Sequence, residues 1–492
     1  MLKRIIESGM YLSIGVLIAK LLSVSYTLVL ARIFGPEEMG AFTLSLLLVS
    51  WFSIVALLSV QTVSTQLISE YVAKKIDISK PITASLFLGT TAAVLATIVH
   101  FFIAGFVATT FYNDTGLTKY IQFASLIIFG TVIFHTALGI ERGMKKFVSY
   151  ATIESSKQAI MLGIGLFFLL ALGWRIMGAI AAAIIAPGII AIAVYVRYRK
   201  YFNKDFWPEA KRIFKLGLGI TLMSAFITVF TSIDKFILGV ISTKEIVGLY
   251  VPAITIVTFL GLFLPGSMKN AVFPYVVESY TKGEYKEARH YMEKVLLYYN
   301  MLVGIAIIPA MFFRREGIAL AFGSDYLAAV EPLAIMLFGA FYFSMFIIMQ
   351  SFVLGTNKIK EGIYATALSV GIATVTNFIL ISNFGLNGAA YALVINTLIL
   401  ATSYSYIVKK AIGLRLRKLI FSLVILNGIL LLSYFLSSYE NLFVRIVLSL
   451  IVIGIYLGLL FLFKFIGKGE INFVLAKVED VKAKLFKPKT PR

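Results

Sequence analysis

The chain has 492 residues, 60% of them hydrophobic and 14% charged, with 45 lysines and arginines against 24 acidic residues, a net charge of +21 and no cysteine. Mean hydropathy is +0.92, far more apolar than a soluble protein of this length can carry. Disulfides, thiolate metal sites and cysteine nucleophiles are excluded, and three histidines without ligand spacing (His100, His135, His290) argue against a metal centre.

Apolar runs recur along the chain near 8–33, 40–69, 82–111, 118–140, 147–172, 176–198, 213–241, 246–276, 290–313, 326–354, 359–382, 386–408, 416–437 and 441–466. Each is long enough to cross a hydrocarbon core of ~30 Å. They predict an all-α polytopic membrane protein with 14 transmembrane helices. The first run follows the basic start MLKRIIESGM and is too long for a signal-peptide core, so it reads as a retained span. An even count places both termini on one side.

Basic residues give the side. The N-terminus and loops 70–81, 141–147, 197–215, 277–294, 358–361, 409–418 and 464–492 hold 34 of the 45 lysines and arginines. By the positive-inside rule the termini are cytoplasmic, on a multi-pass plasma-membrane protein. The net charge then belongs to juxtamembrane residues facing anionic membrane lipids, with no call for nucleic acid. Residues 467–492 place Val474, Val478, Val481 and Leu485 on one helical face with lysines opposite, as in an amphipathic helix on the inner leaflet, before a basic KPKTPR tail. The external loops are too short for a catalytic domain, so no enzyme is expected. Whatever the protein does happens among its helices.

The chain also repeats. EEMGAF (37–42), after span 1, parallels EIVGLY (245–250), after span 7. From Gly40 to Glu70 and from Gly248 to Glu278 the spacing is the same, and each glutamate lies within two residues of a tyrosine, in SEY and ESY. Tyr150-Ala151-Thr152 recurs as Tyr364-Ala365-Thr366, and GWRIMGAIAAA (173–183) matches FGLNGAAYALV (384–394). Four matches in register imply two pseudo-symmetric six-helix bundles, an N-lobe at 1–200 and a C-lobe at 201–410, plus two extra helices at 411–466. Both halves start on the same side, so the repeat is parallel, its axis along the membrane normal, as in alternating-access transporters.

ARIFGPEEMGAF after span 1, DKFILG with VGLY after span 7, and the extra helix pair resemble the polysaccharide flippases of the multidrug/oligosaccharidyl-lipid/polysaccharide exporter superfamily. The resemblance covers spans 1–12 by motif and spans 13–14 by count. It implies export of a lipid-linked saccharide from the inner to the outer leaflet, through a cavity lined by spans 1, 2, 7 and 8. No cofactor is implied, and the reading is of a monomer.

Charges within spans are costly and usually face the protein interior. Lys20, Arg32, Lys235 and Lys269 all fall on those four spans, and all are cations suited to a lipid diphosphate. Gln61 and Gln66 on span 2 are candidates for sugar hydroxyls. Asp234, Thr374, Asn377, Asn396 and Thr397 lie at similar depth on spans 7, 11 and 12, an oxygen-rich set suited to Na⁺; lipid II flippases are similar in having a sodium site among these helices. Na⁺ or H⁺ is therefore the candidate coupling ion. Glu154 and Lys157, at i, i+3 on span 5, read as an ion pair. Gly15 on span 1 and Pro265-Gly266 on span 8 are candidate hinges. The rival readings are a lipid II-type flippase, a multidrug/cation antiporter of the same superfamily and a proton-pumping antiporter-like subunit. The basic cavity disfavours the antiporter, and the scattered charges disfavour the pump.

Overall fold

A computed structural model describes residues 2–356, 358–463 and 465, with the side chains of 2–14, 16 and 262–274 outside that description. The described residues fold as α-helices in chain order: α1 Leu2–Ala56, α2 Val60–Ala73, α3 Ser79–Phe106, α4 Leu117–Ala124, α5 Leu126–Gly143, α6 Phe147–Leu166, α7 Arg175–Tyr198, α8 Trp207–Phe230 and α9 Ile233–Ile241. There follow α10 Lys244–Thr281, α11 Tyr285–Phe312, α12 Arg314–Ala321, α13 Val330–Leu337, α14 Ala340–Gly355, α15 Ile359–Ile412, α16 Arg417–Leu436 and α17 Leu442–Leu462. No strand occurs among the described residues.

Among the described residues, eleven helical stretches are long and apolar enough to cross a membrane, or twelve with the pair Ser324–Leu337 and Ala340–Gly355, bent by 54°. The all-α polytopic fold is as expected; fourteen separate helices are not seen. The difference lies in two long stretches, Leu17–Ala73 and Ile359–Ile412, each of which covers two of the spans read from the sequence. Each of α1 and α15 is interrupted by a glycine with non-helical angles, Gly35 (φ 70°) and Gly385 (φ 53°). Side chains rarely adopt that φ, which is why glycine stands at both breaks. Two further spans, α3 and α6, end in a π-helical turn, at Val107–Phe111 and Phe167–Ala171. The expected seventh span is broken as well, into α8 and the short α9.

The chain forms two compact units. The first comprises Met1–Phe259 and Arg315–Ile407. Its interior shows how helices associate in lipid, where small residues allow close approach. Gly139 and Gly143 of α5 face α2 so closely that a Cβ on Gly139 would sit 2.5 Å from the Gln61 carbonyl, and one on Gly143 2.8 Å from Ile68 Cβ. The hydroxyls of Thr65 and Ser69 donate to the Gly139 and Gly143 carbonyls at 3.0 and 3.2 Å. Around this crossing Ile68, Ile82, Ile133, Phe134, Leu138, Ile190 and Val194 pack into a buried cluster from α2, α3, α5 and α7.

The second unit comprises Leu260–Arg314 and Val408–Arg492. Asn300 of α11 ties it together: its Nδ2 donates to Ser422 Oγ of α16 at 2.7 Å, and its carbonyl accepts from Tyr456 of α17 at 3.0 Å. Gly304 gives the Tyr456 ring the room it needs. The amphipathic helix and basic tail expected at 467–492 lie outside the described residues.

Candidate functional site

The matching stretches EEMGAF and EIVGLY meet within the first unit. Gly35 ends the first part of α1, Pro36 opens the second with its φ preset for a helix, and Gly40 follows one turn later. Lys244 opens α10, and Gly248 follows one turn later. A Cβ on Gly40 would overlap the Lys244 carbonyl and stand 3.0 Å from Gly248 N. A Cβ on Gly248 would overlap the Pro36 carbonyl and stand 3.0 Å from Gly40 N. Each glycine thus lies under the carbonyl four residues before the other. The contact is reciprocal, as a local two-fold axis between the glycines requires, and it sets Glu37 opposite Glu245 and Phe42 opposite Tyr250 in the repeat.

Ion pairs surround this crossing. Lys244 Nζ reaches Glu37 Oε1 at 3.2 Å and Asp114 Oδ2 at 3.3 Å. Arg175 Nε donates to both carboxylate oxygens of Glu38 at 2.7 Å, and its Nη2 to the Ile33 carbonyl at 3.1 Å. Glu37 and Glu38 fall in the first turn after the Gly35 break, where a carboxylate is favoured by the helix dipole. A polar cavity of about 330 Å³ opens here, with Lys119 and Tyr120 also on its wall.

At the C-terminal end of α2, Glu70 bridges Lys74 at 2.7 Å and Arg212 at 2.8 Å, and Tyr71 donates to Glu209 at 2.7 Å. The repeat preserves the local part of this pattern, since Lys282 pairs with Glu278 at 2.6 Å.

The predicted site residues fall into three groups. Two cations are engaged by the protein itself. Arg32 donates through Nε to the Ala321 carbonyl at 3.1 Å and through Nη2 to the Leu320 carbonyl, capping the C-terminus of α12. Lys235 donates to the Thr231 carbonyl at 3.1 Å and pairs with Asp234 at 3.2 Å. Asp234 is buried, and its oxygens accept from Tyr250 Oη at 2.6 Å and from Lys235 N at 2.8 Å.

A second group is uncommitted. Lys20 is exposed and has no hydrogen bond or ion pair among the described residues. Gln66 is exposed and Gln61 half-buried. Asn377 and Asn396 are buried, and the Oδ1 of each lacks a donor among the described residues. Thr374 donates to the Val370 carbonyl at 2.9 Å and Thr397 to the Leu393 carbonyl at 2.7 Å, leaving their oxygens able to accept. No hydrogen bond or ion pair among the described residues joins Asp234 to these four.

The third group contains the hinges and the pairs whose surroundings differ from expectation. Lys269, Pro265 and Gly266 have side chains outside the described residues. Gly15 is a packing position: a Cβ there would meet Ala151 Cβ at 2.5 Å, and its carbonyl accepts from Ser155 at 3.2 Å. The break in α1 comes twenty residues later, at Gly35. Glu154 and Lys157 form no ion pair; the Lys157 ammonium lies 4.6 Å from the centre of the Phe134 ring instead. An aromatic face there attracts the half-buried ammonium.

Tyr250 and Glu38 were not singled out by sequence reasoning. Tyr250 had a readable signal, because it is the hydroxyl-bearing member of a Phe/Tyr pair in the repeat. Glu38 had none, since its partner Arg175 lies 137 residues away.

The polysaccharide biosynthesis protein family matches residues 5–280, and the MatE family matches residues 219–379. The capsular polysaccharide biosynthesis protein CapF of Staphylococcus aureus is 22% identical over 220 residues, which is 44% of this chain and 55% of CapF. The probable low-salt glycan biosynthesis flippase Agl15 of Haloferax volcanii is 27% identical over 159 residues, 32% of this chain and 34% of Agl15. The chain therefore matches about half the length of one and a third of the other. The lipid II flippase MurJ, in an inward closed conformation, has a similar fold with a TM-score of 0.69 and 15% identity, over 92% of this chain and 98% of that one.

Proposed function

The chain belongs to the polysaccharide biosynthesis protein family, and from that membership we propose that it exports a lipid-linked diphosphate saccharide from the inner to the outer leaflet by alternating access. It is a transporter of the multidrug/oligosaccharidyl-lipid/polysaccharide exporter superfamily, not an enzyme. The observation that carries the proposal is the reciprocal crossing at Gly40 and Gly248. Two lobes related by a parallel repeat can rock about such a crossing while their far ends part.

In this reading the Gly35 end faces outward and the termini face the cytoplasm of a plasma membrane. The Arg175–Glu38 pair lies within the N-lobe, whereas the ion pairs of Lys244 with Glu37 and Asp114 join the two lobes at the outer end and must break when it opens. Their exposure keeps that cost low, at about 1 kcal/mol or less per pair. The substrate's phosphates go to cations the protein does not already use. Lys20 is one, and Lys269 is proposed as the second. Arg32 and Lys235 are removed from direct phosphate binding by their own partners. Gln61 and Gln66 would meet sugar hydroxyls.

Na⁺ is the proposed coupling ion. Asn377 and Asn396 supply buried carbonyl oxygens lacking donors, and Thr374 and Thr397 supply hydroxyls. Asp234 joins them only if Lys235 gives way. An inside-negative potential already favours outward movement of an anion, by about 2.3 kcal/mol per charge per 100 mV. The ion is then needed to reset the empty carrier.

The test is flipping of a lipid diphosphate saccharide in proteoliposomes. Lys20→Ala should slow it at least about tenfold, the loss of one charge-assisted contact. Wild-type flipping by Lys20→Ala would remove the assigned role.

A further inference from the structure

The second unit carries a cavity that the transport reading does not use. It has a volume of about 290 Å³ and lies where the chain turns from α15 into α16, against α11. Gly413, with φ +69°, reverses the chain after α15. Leu414 then tucks in, 2% exposed, and the carboxylate of Glu293 accepts from Arg415 N at 2.9 Å. That bond anchors the loop and engages the acidic group on the wall. The side chains of Arg415, Arg417 and Lys418 also line the cavity, and none is ion-paired among the described residues. Arg289 stands beside them, its Nη1 3.5 Å from where a Cβ on Gly413 would lie. The rest of the wall is leucine: Leu296, Leu297, Leu414, Leu416 and Leu419.

Unpaired cations above a leucine wall, at the end of a membrane helix, fit an anion that carries its own apolar chain. We infer that this cavity binds the phosphodiester headgroup of an anionic phospholipid, with Arg415, Arg417 and Lys418 on the phosphate and the leucines along the upper acyl chain. Charge-assisted hydrogen bonds to phosphate are the strong kind, and basic pockets between helices on the cytoplasmic side are where such headgroups are held. A free phosphate ion would meet the cations and leave the leucines unused. The cytoplasmic position rests on the orientation proposed above, while the binding itself does not depend on transport.

The test uses the full-length protein in a neutral detergent, with thermal unfolding followed on adding phosphatidylglycerol, phosphatidylcholine or inorganic phosphate. Phosphatidylglycerol should raise Tm, while the other two should not. Arg415→Gln/Arg417→Gln/Lys418→Gln should lose at least half of that rise, whereas Lys358→Gln/Lys409→Gln/Lys410→Gln, with the same charge removed elsewhere, should keep it. Counting retained phosphatidylglycerol by native mass spectrometry should show one molecule fewer on the first variant, and the single variant Arg417→Gln gives the same reading if the triple variant does not fold. An equal rise with phosphatidylcholine or phosphate, or an undiminished rise in the first variant, overturns the site. A protein that flips no saccharide yet passes these tests refutes the transport reading and leaves the lipid site standing.

Discussion

Span 1 enters its turn through one left-handed glycine, Gly35, whereas span 7 enters through a separate helix of nine residues, α9. Both then present a glycine to the same crossing. On the first side, the residue before the turn that carries charge is Arg32, which caps α12. On the second it is the pair Asp234 and Lys235, held by Tyr250. Tyr250 stands where the first repeat has Phe42. The two approaches have diverged in length, charge and hydrogen bonding, yet the glycines have not. Where two backbones touch there is no room for any side chain; where side chains merely fill space or pair charges, many solutions serve.

That contrast can be broken first at the crossing itself. Gly248→Leu places its Cβ on the Pro36 carbonyl, so the helices must separate. The expected cost is about 3 kcal/mol or more, seen as a lower Tm and less folded protein in detergent. A wild-type Tm would mean the two helices part freely there.

The next effect lies on the second side alone. Asp234→Ala leaves the Tyr250 hydroxyl and the Lys235 ammonium without their carboxylate, and should cost about 2–4 kcal/mol. Tyr250→Phe should cost only about 1–2 kcal/mol. Equal losses in the two variants would show that Lys235 draws nothing from Asp234. The same proteins titrated with Na⁺ sharpen the coupling proposal: the wild type should be stabilised, and Asp234→Ala should not.

The smallest effect belongs to the ion pairs around the crossing. Lys244→Gln removes contacts to Glu37 and Asp114, but Lys244 is 36% exposed. The expected loss is about 1 kcal/mol or less, and it should vanish in high salt. A larger, salt-independent loss would make the pairs, not the glycines, the main closure.

How much of this could be read beforehand follows from the range of each interaction. The glycines were legible because a repeat marks them twice and because close helix contact calls for small residues. The membrane spans were legible from apolar length, and the breaks inside α1 and α15, at Gly35 and Gly385, fall in the gaps between the apolar runs 8–33 and 40–69 and between 359–382 and 386–408. What Arg32 and Lys235 bind was not legible: Arg32 reaches carbonyls 288 and 289 residues away, a pairing that only the fold creates. Asp234 illustrates the intermediate case. Its partner lies sixteen residues on, across one turn, and the Phe42/Tyr250 difference marks it.

One property of the Gly40–Gly248 crossing extends beyond transport. A contact in which each partner offers the same glycine and receives the same carbonyl is what two identical copies make across a two-fold axis. A single six-helix repeat carrying one such glycine could have built this surface with its twin, as a homodimer, before any second half existed. The Phe42/Tyr250 pair departs from that identity where Asp234 takes a donor, and the two glycines keep it.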